Sequence, residues 1–195
     1  SADKVTAGGS TPVIKQACLY VDYLYLDTDE RRRFAKSSHE YLIEQTQAII
    51  DNSISGGCMN RYKLHLNHPV KEFMWVHNLE NSSNKFTYGD FTEKALIRLN
   101  GHDRMDVRPG DYYKNVQRYQ HHTGAEKPNH PIFLYSFALD PEEHQPSGTC
   151  NFSRIDNAFL ELTATAGASG VVNIYGVNYN VLKVMSGMGG LAYSN

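Results

Sequence analysis

The chain has 195 residues, 41% hydrophobic and 21% charged, which suits one ordinary soluble domain or two very small ones and excludes a disordered polypeptide. Lys and Arg number 19 against 21 Asp and Glu, a net charge of −2 with His neutral, so no global field supports nucleic-acid binding through counterion release. Aromatic residues are the compositional outlier, with 13 Tyr, 8 Phe and 1 Trp, and they lean the chain towards sheets and contact surfaces.

Ser1 to Gln16 is polar and Gly-rich, without the apolar core of a signal peptide, and reads as a linker or the tail of a preceding element. A chain that starts at Ser1 rather than Met reads as a piece of something longer. Ala17 to Leu26 (ACLYVDYLYL) is dense in Leu, Val and Tyr and reads as a strand. Asp27, with Glu30 three positions on, offers a capping-box-like start for a short helix through about Phe34. For His39 to Ile50, propensity favours helix while alternation of Tyr41, Ile43 and Gln45 with Leu42, Glu44 and Thr46 fits a strand, and pattern leaves both open.

Asn52 to Gly57 is a turn-rich break, followed by an alternating strand from Arg61 to Asn67 that His68-Pro69 ends. A second alternating strand covers Val70 to Asn78, with Phe73, Trp75 and His77 opposite Glu72, Met74 and Val76. After a polar loop, Leu79 to Asp90, comes a strand from Glu93 to Asn100 and the turn signal Asn100-Gly101. Tyr112, Val116 and Tyr119 recur at helical spacing within Arg108 to His122. Ile132 to Leu139, Ile155 to Thr163 and Val171 to Met185 are further strands, and the tail with Gly187, Gly189 and Gly190 reads as a flexible or tightly turning terminus. Pro131 to Leu139 is the longest nearly apolar stretch and is far too short to span a bilayer. About eight strands, polar loops, no βαβ rhythm and no internal repeat make an all-β sandwich.

Chemistry-bearing patterns are weak throughout. Cys18, Cys58 and Cys150 are odd in number, lack a C-x-x-C pair and read as reduced thiols, as in cytosol. Nine histidines invite a metal, yet His65 and His68 are three apart, and His102-Asp103 and His121-His122 are adjacent pairs that diverge on a strand. They read as solvated or singly hydrogen-bonded, with no metal and no cofactor. Asp140, Glu142, Glu143, His144 and Ser147 crowd one Pro-rich loop without a nucleophile elbow and read as a solvated turn. Arg31, Arg32 and Arg33 follow Asp27, Asp29 and Glu30, a charge-balanced helix. Asn81 and Asn151 open formal glycosylation sequons, and Asn81, in the more exposed loop, is the better candidate. No catalytic residue emerges. The residues indicate burial and contact, hence a structural or binding module.

Several stretches closely resemble the major capsid proteins of nucleocytoplasmic large DNA viruses of the phycodnavirus and iridovirus type: VDYLYLDTDERRRFAKSSHEYLIEQ from Val21, LNHPVKEFMW from Leu66, LNGHDRMDVRPGDYYKNVQRYQ from Leu99, LYSFALDPEEHQPSGTCNFSRIDNAFLEL from Leu134 and NIYGVNYNVLKVMSGMGGLAYSN from Asn173. The run Gln145 to Ala158 is highly specific, and the match ends where the family ends. The resemblance implies an all-β fold: an eight-stranded antiparallel jelly-roll sandwich with short helices in the connections. It implies that residues 17–195 are the second of two jelly rolls and residues 1–16 the approach from an absent first one. It also implies that EYLIEQ from Glu40 belongs to a strand.

Functionally the resemblance implies a non-enzymatic structural protein of the virion, assembled in host cytoplasm. Its partners would be copies of itself in pseudo-hexagonal trimers that tile an icosahedral shell, together with minor capsid proteins. An internal membrane would lie nearby without insertion, and nucleic acid would not be bound. Trp75 and Phe73 are expected to fill the sandwich or a subunit seam, and Arg154 and Asp156 to form an ion pair within or between subunits. The loop Pro141 to Asn151 is expected to hold a fixed shape, and Asn78 to Asp90 to be an outer loop. The alternative is a carbohydrate- or receptor-binding β-sandwich.

Overall fold

A computed structural model of the chain describes residues 16–79, 88–124 and 130–194. The chain divides into two compact units, Ser1–Ser37 and Ser38–Asn195. In the first unit, residues 16–27 have no regular secondary structure, so the strand expected over Ala17 to Leu26 does not form. A strand needs a neighbour for its backbone N–H and C=O groups, and no other strand exists among the described residues of this unit. Helix α1 (Thr28–Lys36) forms as its cap predicts: the Asp27 carboxylate accepts the Thr28 N–H at 2.7 Å, and the Ser37 N–H closes the last turn on the Arg33 carbonyl at 2.9 Å. Asp29 and Glu30 sit at its positive end and Arg33 and Lys36 at its negative end.

The second unit is built from β1 (His39–Ser53), β2 (Met59–Lys63), β3 (Pro69–Asn78), β4 (Tyr88–Gly89), β5 (Thr92–Leu99), β6 (His102–Asp103) and β7 (Arg108–Pro109). After a π-helical turn (Tyr112–Val116) and α2 (Gln117–His121) come β8 (Phe133–Ser136), β9 (Cys150–Asn151), β10 (Ala158–Ala164), β11 (Val171–Met185) and β12 (Met188–Leu191). One sheet runs β1-β11-β3, and its fourth position is shared end to end by β9, β8 and β4, which pair with successive parts of β3. The other runs β2-β10-β5, with β6 and β7 sharing the fourth position. Taking each shared position as one strand, and apart from β12, which folds back on the end of β11, the described residues fill eight places. First pairs with last, second with seventh, third with sixth and fourth with fifth, all antiparallel. A long hairpin wrapped into two four-wide sheets is a jelly roll.

The ambiguous segment from His39 is strand, in register with β11 from His39 opposite Val184 to Ser53 opposite Val171. Helix propensity there is overridden because β11 pairs with it along its whole length. The register slips between Ile49 and Asn52, where Asp51 takes φ 59° and donates its N–H to Asn173 Oδ1 at 2.9 Å. A second bulge, in β3, has a larger consequence. Val177 faces Glu72 while the next β11 residue, Asn178, faces Val70, so Lys71 is extra. Val70 and Phe73 both enter the core, and the two residues between them, Lys71 and Glu72, are both turned off it.

Trp75 is fully buried, its ring stacked on Phe133 (5.6 Å between centroids) and packed on Tyr113 (5.2 Å) and Phe73 (5.9 Å). Ile97, Leu160 and Leu162 of the second sheet complete the core with Val172 and Ile174 of the first. Two buried hydroxyls are matched, Tyr62 donating to the Ser53 carbonyl at 2.9 Å and Tyr113 to the Ala95 carbonyl at 3.1 Å, while that of Tyr179 has no partner among the described residues. Burial pushes the Tyr62 phenol up to about 12.

One expectation changes, and an open alternative closes. The stripe of Tyr112, Val116 and Tyr119 does not face inward as one; Tyr113 and Gln117 are buried and Tyr112 packs partly buried against the core, while Val116 and Tyr119 are exposed. The π-helical turn shifts the helical phase by a residue and so selects a different face. The glycine-rich tail takes the tightly turning form of the two readings left open. Ser186 and Gly187 take φ 53° and 77°, the turn that joins β11 to β12 in a tight hairpin, and Asn180 Nδ2 donates to the Tyr193 carbonyl at 2.9 Å.

Candidate functional site

The bulge at Lys71 and Glu72 supplies a connected polar cluster in the second unit. Lys71 Nζ lies 2.7 Å from Glu44 Oε1 of β1 and donates to the Pro141 carbonyl at 2.7 Å. Glu72 Oε2 lies 2.8 Å from His122 Nε2, and the other ring nitrogen, Nδ1, faces Glu142 Oε1 at 3.3 Å. Glu142 in turn accepts the Thr123 N–H at 3.0 Å and the Thr123 hydroxyl at 2.8 Å. These contacts hold the Glu142 carboxyl below its usual range, and the Glu72 carboxylate raises the His122 imidazole above its own against the opposing effect of burial. His121 points elsewhere, its Nδ1 2.9 Å from the Leu139 carbonyl.

On the outer face of the second sheet, Glu161 of β10 is covered by two guanidinium groups, Arg61 of β2 and Arg98 of β5, each at 3.2 Å. Arg98 also binds Asp103 at 2.7 Å, and the Arg61 guanidinium lies over the Phe159 ring at 3.9 Å. A cleft of about 450 Å³ lies among Tyr88, Asp90, Lys114, Asn115, His130 and Pro131. Its charged groups are already matched, with Lys114 Nζ 2.6 Å from Asp90 and 3.1 Å from Asp111. Exposed apolar side chains gather on the last hairpin, where Met185, Met188, Leu191 and Tyr193 are all uncovered. β1 carries no fully buried residue. It is an edge strand among the described residues.

Phe73 and Trp75 fill the sandwich. Arg154 and Asp156 are exposed, and no ion pair joins them among the described residues. Arg154 ends the turn at Phe152–Arg154 and Asp156 lies two residues on, both in solvent, where a pair contributes little. The loop after Pro141 is held as expected. The Ser147 hydroxyl both accepts the Asp140 N–H at 2.9 Å and donates to its carbonyl at 3.0 Å, and Gly148 takes φ 153° with a Cβ position 2.7 Å from the Phe137 carbonyl. Asn151 caps the following turn through the Ser153 N–H at 3.1 Å. Asn81, the glycosylation candidate, lies outside the described residues, as does most of the expected outer loop. Among the described residues no group of three or more His, Cys, Asp or Glu side chains is placed to hold a metal ion, and no helix is long and apolar enough to cross a membrane.

His77 and His122 were missed as special positions, because a lone His in an alternating strand and a His pair in a helical stretch carry no motif. One signal was available for the cluster: Lys71-Glu72, two adjacent charges inside an otherwise apolar strand, is what a bulge permits.

Residues 30–190 match the family described as large eukaryotic DNA virus major capsid protein. The chain belongs to this family. It is 48% identical, over its whole length, to the major capsid protein of Pyramimonas orientalis virus, covering 52% of that protein, and 37% identical over 97% of its length to the major capsid protein of Paramecium bursaria Chlorella virus 1, covering 56%. The chain thus spans about half the length of the curated relatives it matches. Its fold superposes on a subunit of the PBCV-1 virus capsid with a TM-score of 0.71 at 37% identity, over 88% of this chain and 55% of that one. The eight-place jelly roll is therefore this family's fold, and the family's role is structural.

Proposed function

We propose that this chain is a rigid building block of a viral capsid, the second of two consecutive jelly rolls, with residues 1–16 as the approach to it. The carrying observation is the match of residues 30–190 to the major capsid family, joined to a sandwich whose polar clusters are closed internally. Two antiparallel sheets that bury their facing side chains give a stiff wedge, which is what repeated lateral packing requires. Three subunits of two wedges each make a six-sided trimer, and trimers tile the shell of the virion. Minor capsid proteins contact that shell and an internal membrane lies beneath it without being entered. The work is contact, with no substrate turned over and no nucleic acid bound, and assembly takes place in the host cytoplasm.

The second unit offers surfaces suited to such contacts: the unburied edge strand β1 and the uncovered apolar side chains of the last hairpin. Residues 17–26 are a further one. Leu19, Tyr20, Leu24 and Tyr25 are 88–94% exposed, so the segment has the composition of a strand and, among the described residues of its own unit, no sheet to join.

The test is to place the part of the Pyramimonas orientalis virus protein that this chain does not cover ahead of Ser1 and weigh the product by light scattering after size exclusion. Trimers are expected. Monomers that persist across concentration would overturn the assembly reading.

A further inference from the structure

The cluster at the β3 bulge has a geometry that a neutral histidine cannot satisfy. Both ring nitrogens of His122 face carboxylate oxygens, Nε2 at 2.8 Å from Glu72 and Nδ1 at 3.3 Å from Glu142. A neutral imidazole has one N–H and one lone pair, and only the imidazolium donates on both sides. We propose that His122 is a pH-sensitive latch that fastens the loop 137–148 to the end of α2 and to β3, closed while the ring is charged and released when it loses its proton.

The groups facing the ring set the direction. From β3 comes Glu72, its side chain 6% exposed, and beside it Lys71, whose charge is taken by Glu44 of β1. From β11 comes Tyr179, whose ring lies 5.6 Å from Lys71 Nζ. From the loop comes Glu142, and on the ring's own segment His121 is engaged on the Leu139 carbonyl. The carboxylates are the direct partners of the ring, and together they raise its pKa above 6.5. The latch is therefore fully present below pH 6.5 and is lost as pH rises through the raised value.

Loss falls first on the loop side. The contact to Glu72 is shorter and more buried, so the remaining N–H stays there and the Nδ1 lone pair is left facing Glu142. Glu142 then keeps only the Thr123 N–H and hydroxyl, and the charge that anchored the loop is gone. This inference concerns the second unit alone and holds whether or not copies assemble.

The experiment follows the His122 ring by NMR titration and the Thr123 amide by hydrogen exchange, corrected for intrinsic rate, in the 195-residue chain and in His122→Gln and Glu142→Gln. The expected result is a ring that titrates above 6.5 and a Thr123 amide whose exchange speeds up about tenfold for each unit by which the ring pKa is raised. Glu142→Gln keeps the Glu72 contact, so it should lower the ring pKa and flatten the pH dependence at Thr123 even if His122→Gln folds poorly. A wild-type ring that titrates at or below 6.5 overturns the latch, as does an exchange profile shared by wild type and Glu142→Gln.

Discussion

His77 Nε2 lies 2.7 Å from Thr92 Oγ1, and this contact joins the two sheets, since His77 is on β3 and Thr92 on β5. The same hydroxyl oxygen accepts the Trp75 indole N–H at 3.2 Å, so its own proton is free to go to His77. The other ring nitrogen, Nδ1, is buried without a partner among the described residues. Phe91 and Phe133 pack on the ring, and burial lowers its pKa from 6.5 to about 4, against the pull of Asp90.

Acid should therefore weaken the fold through His77. Between pH 6.5 and about 4 the unfolded chain binds a proton that the folded ring refuses, so stability falls as pH falls through that window. The full shift corresponds to on the order of 3 kcal/mol. Urea unfolding of wild type and His77→Gln at several pH values measures it; equal acid slopes for the two proteins would remove His77 from the account.

Thr92→Val keeps the shape of the side chain and removes the hydroxyl, leaving the Trp75 N–H and His77 Nε2 unmatched in the core. Each orphaned group costs about 1–3 kcal/mol. Thr92→Ser keeps the hydroxyl and should lose much less. Trp75 is the single tryptophan and fully buried, so its fluorescence reports unfolding in both variants directly.

Phe133→Ala opens a void beside Trp75, where the two rings stack at 5.6 Å and 11°. The loss expected is about 3–5 kcal/mol, read from chemical denaturation monitored at Trp75. A loss under about 1 kcal/mol would mean that the site collapses around the deletion.

Gly110 packs against β5 so closely that a Cβ would collide with the Thr92 carbonyl. Gly110→Ala must push β5 aside and disturb the Trp75–Thr92–His77 contacts with it. The expected outcome is a lower thermal midpoint accompanied by a red shift in native Trp75 emission. An unshifted emission spectrum would show that the strain is relieved elsewhere.

Much of the sandwich could be read from side-chain alternation. Phe73, Trp75 and His77 share a face in the sequence and all three are buried in the structure. Val171 to Met185 is a strand at the expected bounds, and Asp27 announces α1. The segment from His39 was legible only through the family resemblance, because helix propensity and strand alternation coincide there. The latch was not legible, since nothing local brings positions 72, 122 and 142 together.

The sequence by itself determined which residues seek burial, where the chain turns and which family it joins, because these depend on side-chain polarity, on backbone-restricting Gly and Pro, and on the order of residues. Only the tertiary structure decided the fate of the polar groups. One extra residue in β3 turns Lys71 and Glu72 off the core together, and along the π-helical turn Tyr113 is buried fully while Val116, on the expected stripe, is left exposed. A histidine's titration follows from what the fold places around it: burial between two sheets lowers the pKa of His77, while two carboxylates raise that of His122.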